Sequence, residues 1–134
     1  MSYSSDIKRL TYEDIDCDDV TVDYLDQKSQ SMLERGGITE LFPVQKAAYK
    51  LFVEGEELIV KSKTGSGKTL AFLLPLQELL RKQEAERQDK LLAVILEPTR
   101  ELAVQVAEQI KKFSRLRCVL AFGGGTTKAG HNSK

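Results

Sequence analysis

The 134-residue sequence predicts an α/β fold, a parallel sheet flanked by helices, on three observations. Short apolar runs alternate with amphipathic helical stretches. A glycine-rich turn joins the first of those runs to a helix. Residues 91–96, Leu-Leu-Ala-Val-Ile-Leu, are apolar throughout, the pattern of a parallel strand covered on both faces. Alternation of this kind closes through right-handed crossovers. Ligands of such sheets bind beyond the carboxyl ends of the strands.

Composition sets the bounds. The length allows one domain at most, and an apolar fraction of 41% is enough for a packed core. The formal net charge is zero, so nucleic-acid binding has to come from a local patch rather than a basic tail. Cys17 and Cys118 are far apart and lack metal-ligand spacing, which reads as two reduced thiols inside a cell. The longest pure apolar run is too short to cross a bilayer, and the start does not resemble a signal peptide. A soluble, intracellular protein with no membrane partner is expected.

Residues 1–22 are polar and acidic, and a flexible lead-in is expected there. Glu13-Asp14-Ile15-Asp16 is no acidic metal motif, since no apolar strand precedes it. A first helix is expected over residues 23–35, with Asp23 as N-cap, Leu25, Met32 and Leu33 on one side, and Gly36-Gly37 as the stop. Pro43 suits the first position of a second helix, whose buried face is Val44, Ala47, Ala48, Leu51 and Phe52, with Gly55 ending it. Gln45 falls off that stripe, which leaves its amide free to face a ligand.

Residues 58–61 read as the first strand. The helix after the glycine-rich turn is apolar on nearly all sides, hence largely buried, and Pro75 must bend or open it. Residues 81–90 form a charged run, expected as a solvated helix end and linker. Pro98 stops the strand over 91–96. Thr99 is a good N-cap for a helix carrying Leu102, Ala103, Val106, Ile110 and Phe113 on one stripe, with Lys111 and Lys112 at its C-terminal end. Residues 118–122 form a third strand ending in Gly123-Gly124-Gly125, and a polar, frayed tail follows over 126–134.

The chemistry gathers in Ser62-Lys63-Thr64-Gly65-Ser66-Gly67-Lys68-Thr69. Strand, glycine-rich turn and helix are the context a phosphate-binding loop requires. Gly65 and Gly67 let backbone N–H groups converge on phosphate oxygens. The helix behind them adds its positive dipole end. Lys68 supplies charge for the outer phosphates, and the Thr69 hydroxyl is placed to ligate Mg²⁺. The strict pattern G-x-x-x-x-G-K-[ST] wants glycine where Ser62 stands. Topology brings this loop, Pro98-Thr99-Arg100 and Gly123-Gly124 to one edge of the sheet.

Four segments together resemble the DEAD-box RNA helicases. Gly37-Ile38-Thr39-Glu40-Leu41-Phe42-Pro43-Val44-Gln45 is similar to that family's adenine-reading Q motif, and Lys63 to Thr69 to its motif I. Pro98-Thr99-Arg100-Glu101-Leu102-Ala103-Val104-Gln105 resembles motif Ia, and Gly123-Gly124 the GG element. The Leu41-Phe42-Pro43-x-Gln45 form looks most like the nucleolar Gu-type branch. By position, the resemblance implies ATP or ADP with Mg²⁺ as cofactors, bound by Gln45, Thr64, Gly65, Ser66, Gly67, Lys68 and Thr69. Thr69 would be the metal ligand, and Gln45 would read the adenine edge. Pro98, Thr99, Arg100, Gly123 and Gly124 would contact the backbone of single-stranded RNA without reading sequence.

Two departures stand out. The aromatic residue that the family usually places a fixed distance before the Q motif is here Val20. The sequence also contains no Asp-Glu-Ala-Asp, no Ser-Ala-Thr element and no second lobe. The resemblance therefore implies an incomplete first RecA-like lobe of a P-loop NTPase over residues 23–125, preceded by the lead-in and followed by the tail. The resemblance further implies an ATP-dependent RNA helicase of the cytoplasm or nucleus, the nucleolus included, and a second RecA-like lobe is expected as partner in the intact protein. Alone, this chain is expected to bind nucleotide without hydrolysing it, with no catalytic residue assigned. The alternatives are a generic P-loop NTPase or kinase, for which Glu97 is the only acid at a strand end, and a non-catalytic truncated product binding RNA or protein.

Overall fold

The computed structural model describes residues 10–65, 67–84, 91–114, 116–123 and 125–127. Four helices organise it: α1 (Gln27–Arg35), α2 (Pro43–Val53), α3 (Lys68–Glu84) and α4 (Arg100–Phe113). Two short strands follow, β1 (Leu120–Phe122) and β2 (Gly125–Thr127). Helices α2 and α3 pack along each other, α4 touches both α3 and α1, and α1 reaches α3 through side chains.

Local signals set the helix ends. Helix α1 starts later than expected: Val22–Tyr24 form a 3-10 turn, and Asp26 rather than Asp23 is the N-cap. Its carboxylate accepts from the Ser29 N–H at 2.7 Å, a bond Asp23 cannot make from inside the preceding turn. Gly37 at φ 71° and Gly55 at φ 84° end α1 and α2 in the left-handed region as glycine allows. Pro43 opens α2, and Thr99 caps α4 by accepting from the Leu102 N–H at 3.2 Å.

The core contains Leu25, Met32, Leu33, Leu41, Leu70, Leu74 and Phe113, and it also takes in Cys17 and Val20. Those two correct the expectation of a flexible lead-in. Val20 is fully buried and Cys17 nearly so, because each finds apolar neighbours on the helices, and Asp19 pairs with Lys50 at 3.2 Å. Residues 1–9 lie outside the described residues. Burial raises the Cys17 and Cys118 thiols above their ordinary value, with the Asp18 charge adding to the shift at Cys17, so both stay protonated and inert.

The strand expectations fare differently. Among the described residues, the only ladder is antiparallel: β1 pairs with β2, Leu120 opposite Thr127 and Phe122 opposite Gly125. Residues 58–61 and 91–96 carry no ladder, and the double-sided burial expected of 91–96 is absent. Ile59 is 83% exposed and Leu96 88%. The apolar run is a local property, whereas a ladder needs a neighbouring strand in register. Strand β2 in turn recruits Thr126 and Thr127, read above as frayed tail; residues 128–134 lie outside the described residues.

A second correction concerns Arg81, expected on a solvated helix end. It instead donates from Nη2 to the Asp26 carboxylate at 2.6 Å and to Ser29 Oγ at 2.8 Å. The neighbouring Glu78 is buried, accepting from the Asp26 N–H at 3.2 Å and from the Tyr49 hydroxyl. Gln77 Nε2 also donates to Ser29 Oγ. One polar cluster thus stitches α1 and α2 to the same stretch of α3. Residues 85–90 of the expected linker lie outside the described residues.

Burial pushes the Asp26 carboxyl up, but the Ser29 and Arg81 bonds outweigh it and hold the group below its ordinary value of 3.8. Its contribution to stability is therefore full above pH 3.8 and is lost as pH falls through the lower folded value. Tyr49 runs the other way. Burial, then the Glu78 carboxylate, raises its phenol well above 10.0, so its contribution is full below that pH and is lost as pH rises through the folded value. Denaturant unfolding across pH should show both limbs. Tyr49→Phe is expected to flatten the alkaline limb and leave the acid one. Arg81→Met, which leaves the Asp26 carboxylate with the Ser29 N–H and water alone, should lower stability at neutral pH by about 1 kcal/mol; an unchanged midpoint would remove the cluster from the account.

Candidate nucleotide site and nucleic-acid edge

The site is built where residues 61–67 turn into α3. Gly65 and Gly67 sit at φ 79° and 78°, a conformation that side-chain-bearing residues adopt at a cost. The turn folds the loop so that α3 begins at Lys68, and the Ala71 N–H reaches back to the Gly67 carbonyl at 3.0 Å. Lys68 and Thr69, the first two residues of α3, are half-buried, while Thr64 and Gly65 are exposed at the tip. Lys68 Nζ donates to the Ser62 carbonyl at 2.6 Å and to the Lys63 carbonyl at 2.8 Å. The ammonium thus lies over its own loop. Ser66 lies outside the described residues.

Gln45 departs from the sequence reading. Its side chain is buried, 4% exposed, with both ends of the amide engaged. Oε1 accepts from the Phe42 N–H at 2.8 Å, and Nε2 donates to the Gly67 carbonyl at 3.3 Å. Helical periodicity placed Gln45 off the apolar stripe but could not show that the phosphate loop covers that side. A Cβ added at Gly67 would lie 2.3 Å from Gln45 Nε2 and 3.2 Å from Phe42 Cδ2. Glycine is therefore required at that position twice over, by backbone angle and by the neighbour it must admit.

These residues fit a polyphosphate. Two left-handed glycines, the N–H groups at the start of a long helix and a lysine on the loop supply the donors such an anion needs. For Mg²⁺ the fit is narrower. Among the described residues no group of three or more His, Cys, Asp or Glu could hold a metal, so Thr69 would act together with phosphate oxygens. When bound, the ion neutralises phosphate charge.

At the other loop edge, the structure brings Arg100 to Gly123. The guanidinium donates from Nη2 to the Gly123 carbonyl at 2.7 Å and lies 5.8 Å over the Phe122 ring. Pro98 and Thr99 are exposed beside it, and Gly124 lies outside the described residues. Loops from two separate parts of the chain thus form one polar edge. Among the described helices none is long and apolar enough to cross a membrane.

Sequence reasoning missed two things here. The first is the Asp26–Arg81–Glu78–Tyr49 cluster, in which Asp26 precedes Glu78 and Arg81 by more than fifty residues with no pattern linking them. The second is Phe42, half-exposed against the loop; its signal was an aromatic residue at a helix N-cap, where short polar side chains are favoured.

Comparison with known proteins gives a consistent picture. The DEAD/DEAH box helicase family profile matches residues 42–133. The DEAD-box ATP-dependent RNA helicase 3 of Helianthus annuus is 42% identical over 106 residues, 75% of this chain and 45% of that protein. The ATP-dependent RNA helicase DDX55 of Bos taurus is 41% identical over 92 residues, covering 68% of this chain and 15% of the relative. This chain thus spans less than half the length of these relatives. Two solved structures superpose on it. The DEAD-box helicase Mss116 bound to ssRNA and UDP-BeF gives a TM-score of 0.64 at 35% identity, over 70% of this chain and 20% of that one. A DEAD box protein from the hyperthermophile Methanococcus jannaschii gives 0.65 at 33% identity, over 75% of this chain and 28% of that one. The chain therefore has the α/β, RecA-like fold of those helicase lobes.

The double constraint at Gly67 is testable without any ligand. Gly67→Ala should destabilise the chain by about 1–3 kcal/mol, through positive φ and displacement of the Gln45 amide. Gly123→Ala, at a position with open space around it, should cost little. Equal thermal midpoints for the two variants would contradict the assigned packing.

Proposed function

Because the chain belongs to the DEAD/DEAH box helicase family, we propose that it is the nucleotide-binding part of an ATP-dependent RNA helicase, residues 23–125 forming part of the first RecA-like lobe. The observation that carries this reading is the Gln45–Gly67 bond, which joins a helix start to the phosphate loop at one carbonyl. Phosphates of ATP or ADP with Mg²⁺ occupy the loop through Thr64 to Thr69. Lys68 exchanges its bonds to the Ser62 and Lys63 carbonyls for phosphate oxygens. Gln45 retains one amide hydrogen and one lone pair beyond its present bonds, a donor–acceptor pair that matches the adenine edge.

RNA lies along the other edge. Pro98, Thr99, Arg100, Gly123 and Gly124 contact the sugar–phosphate backbone of single-stranded RNA without reading bases. The whole protein couples ATP binding and hydrolysis to strand separation or RNP remodelling, with a second RecA-like lobe as partner. Leu41-Phe42-Pro43-Val44-Gln45 supports the nucleolar Gu-type branch, and the setting is intracellular, in the cytoplasm or the nucleus with the nucleolus included. This chain alone binds nucleotide without turning it over. Its sequence offers no Asp-Glu-Ala-Asp to complete a magnesium shell and orient water, and no finger arginines to offset transition-state charge.

Calorimetric titration with ADP·Mg²⁺ tests the reading, with GDP·Mg²⁺ as control. Lys68→Ala is expected to weaken ADP at least roughly tenfold, the scale of one lost charge-assisted contact. Gln45→Ala should erase the preference for ADP over GDP. Equal binding of the two nucleotides by the unaltered chain would take Gln45 out of base selection, and steady ATP turnover abolished by Lys68→Ala would overturn the claim of inactivity. Arg100→Ala is expected to weaken poly(U) binding and reduce its salt dependence, while ADP binding stays unchanged.

A further inference from the structure

Val20 is fully buried and presents nothing to a ligand. The aromatic ring that does stand beside the phosphate loop is Phe42. It is 54% exposed, yet its Cδ2 lies 3.2 Å from where a Cβ on Gly67 would sit. The backbone that carries the ring is held in place. Leu41 before it is buried, Pro43 after it fixes the backbone, and its own N–H is bound by Gln45 Oε1.

Phe42 occupies the N-cap of α2, where a short polar side chain would accept a helix N–H, and it makes no such bond. It fills no core either, since half its surface meets water. A residue that breaks the local rule without a packing gain marks a position kept for another purpose. Its surroundings say which. Gln45, one turn along the same helix, ties the Phe42 N–H to the phosphate loop through its amide, and Phe42 next to it offers a flat apolar face.

We propose that Phe42 is the base platform of the nucleotide site, its ring stacking on the purine of a bound adenine nucleotide whose phosphates lie on the loop from Thr64 to Thr69. This inference rests on the nucleotide reading above. Stacking tolerates any base, so Phe42 supplies affinity and leaves selection to Gln45. A ring carried on a fixed backbone has less freedom to lose when the base arrives.

The test titrates the 134-residue chain with ADP·Mg²⁺ and with tripolyphosphate·Mg²⁺, which has charge but no base. Phe42→Ser is the main variant, because serine is a favourable N-cap and should preserve or raise the thermal midpoint. It is expected to weaken ADP by roughly 5- to 100-fold, the range for one stacked base, and to leave tripolyphosphate unchanged. Phe42→Tyr should bind ADP as the unaltered chain does. Undiminished ADP affinity in Phe42→Ser, or equal losses for both ligands, would overturn the proposal while leaving the nucleotide site in place. Should the unaltered chain show no Lys68-dependent binding of ADP, the underlying nucleotide reading fails and the platform with it.

Discussion

The Gly67 carbonyl is the joint on which the site depends. It accepts the Ala71 N–H, which starts α3, and the Gln45 amide, which fixes the start of α2. A single oxygen thus sets the distance between the two helices that pack most extensively in the chain. The arrangement works only because Gly67 lacks a side chain: any Cβ would occupy the space the Gln45 amide needs. Backbone angle, helix start and inter-helix bond are one constraint seen three ways.

Behind that joint, the polar cluster on α3 secures the other end of the same helices. Asp26 caps α1, Glu78 accepts from the Asp26 N–H and from Tyr49 on α2, and Arg81 closes the group through Asp26 and Ser29. Each buried charge has a charged or hydrogen-bonding partner, which is the condition for such groups to stabilise rather than strain a core. The segment before α1 is carried along, because Cys17 and Val20 enter the same apolar cluster. The phosphate loop therefore opens a helix held at both ends.

What could be read in the sequence was the local part. Positive-φ glycines, a proline at a helix start and a threonine cap act within four residues, and Gly65, Gly67, Pro43 and Thr99 stand where their chemistry predicts. Whatever depends on a distant neighbour was not legible. Gln45 looked free because helical periodicity describes one helix and not the loop laid over it. Arg81 looked solvated because its partners, Asp26 and Ser29, precede it by more than fifty residues. The apolar runs at 58–61 and 91–96 looked like strands because composition records what a segment could bury and not what lies beside it. The RecA-like fold emerged from the order of the segments and from the solved structures that superpose on it.

The position of Lys68 has a kinetic and thermodynamic meaning. By donating to the Ser62 and Lys63 carbonyls, the ammonium is its loop's own ligand, and an incoming anion competes with the backbone for it. Observed affinity is then the intrinsic affinity multiplied by the fraction of molecules whose lysine has let go. The same self-contact holds the loop in a defined shape between encounters, so the chain trades some binding strength for a loop that is already folded when the anion arrives.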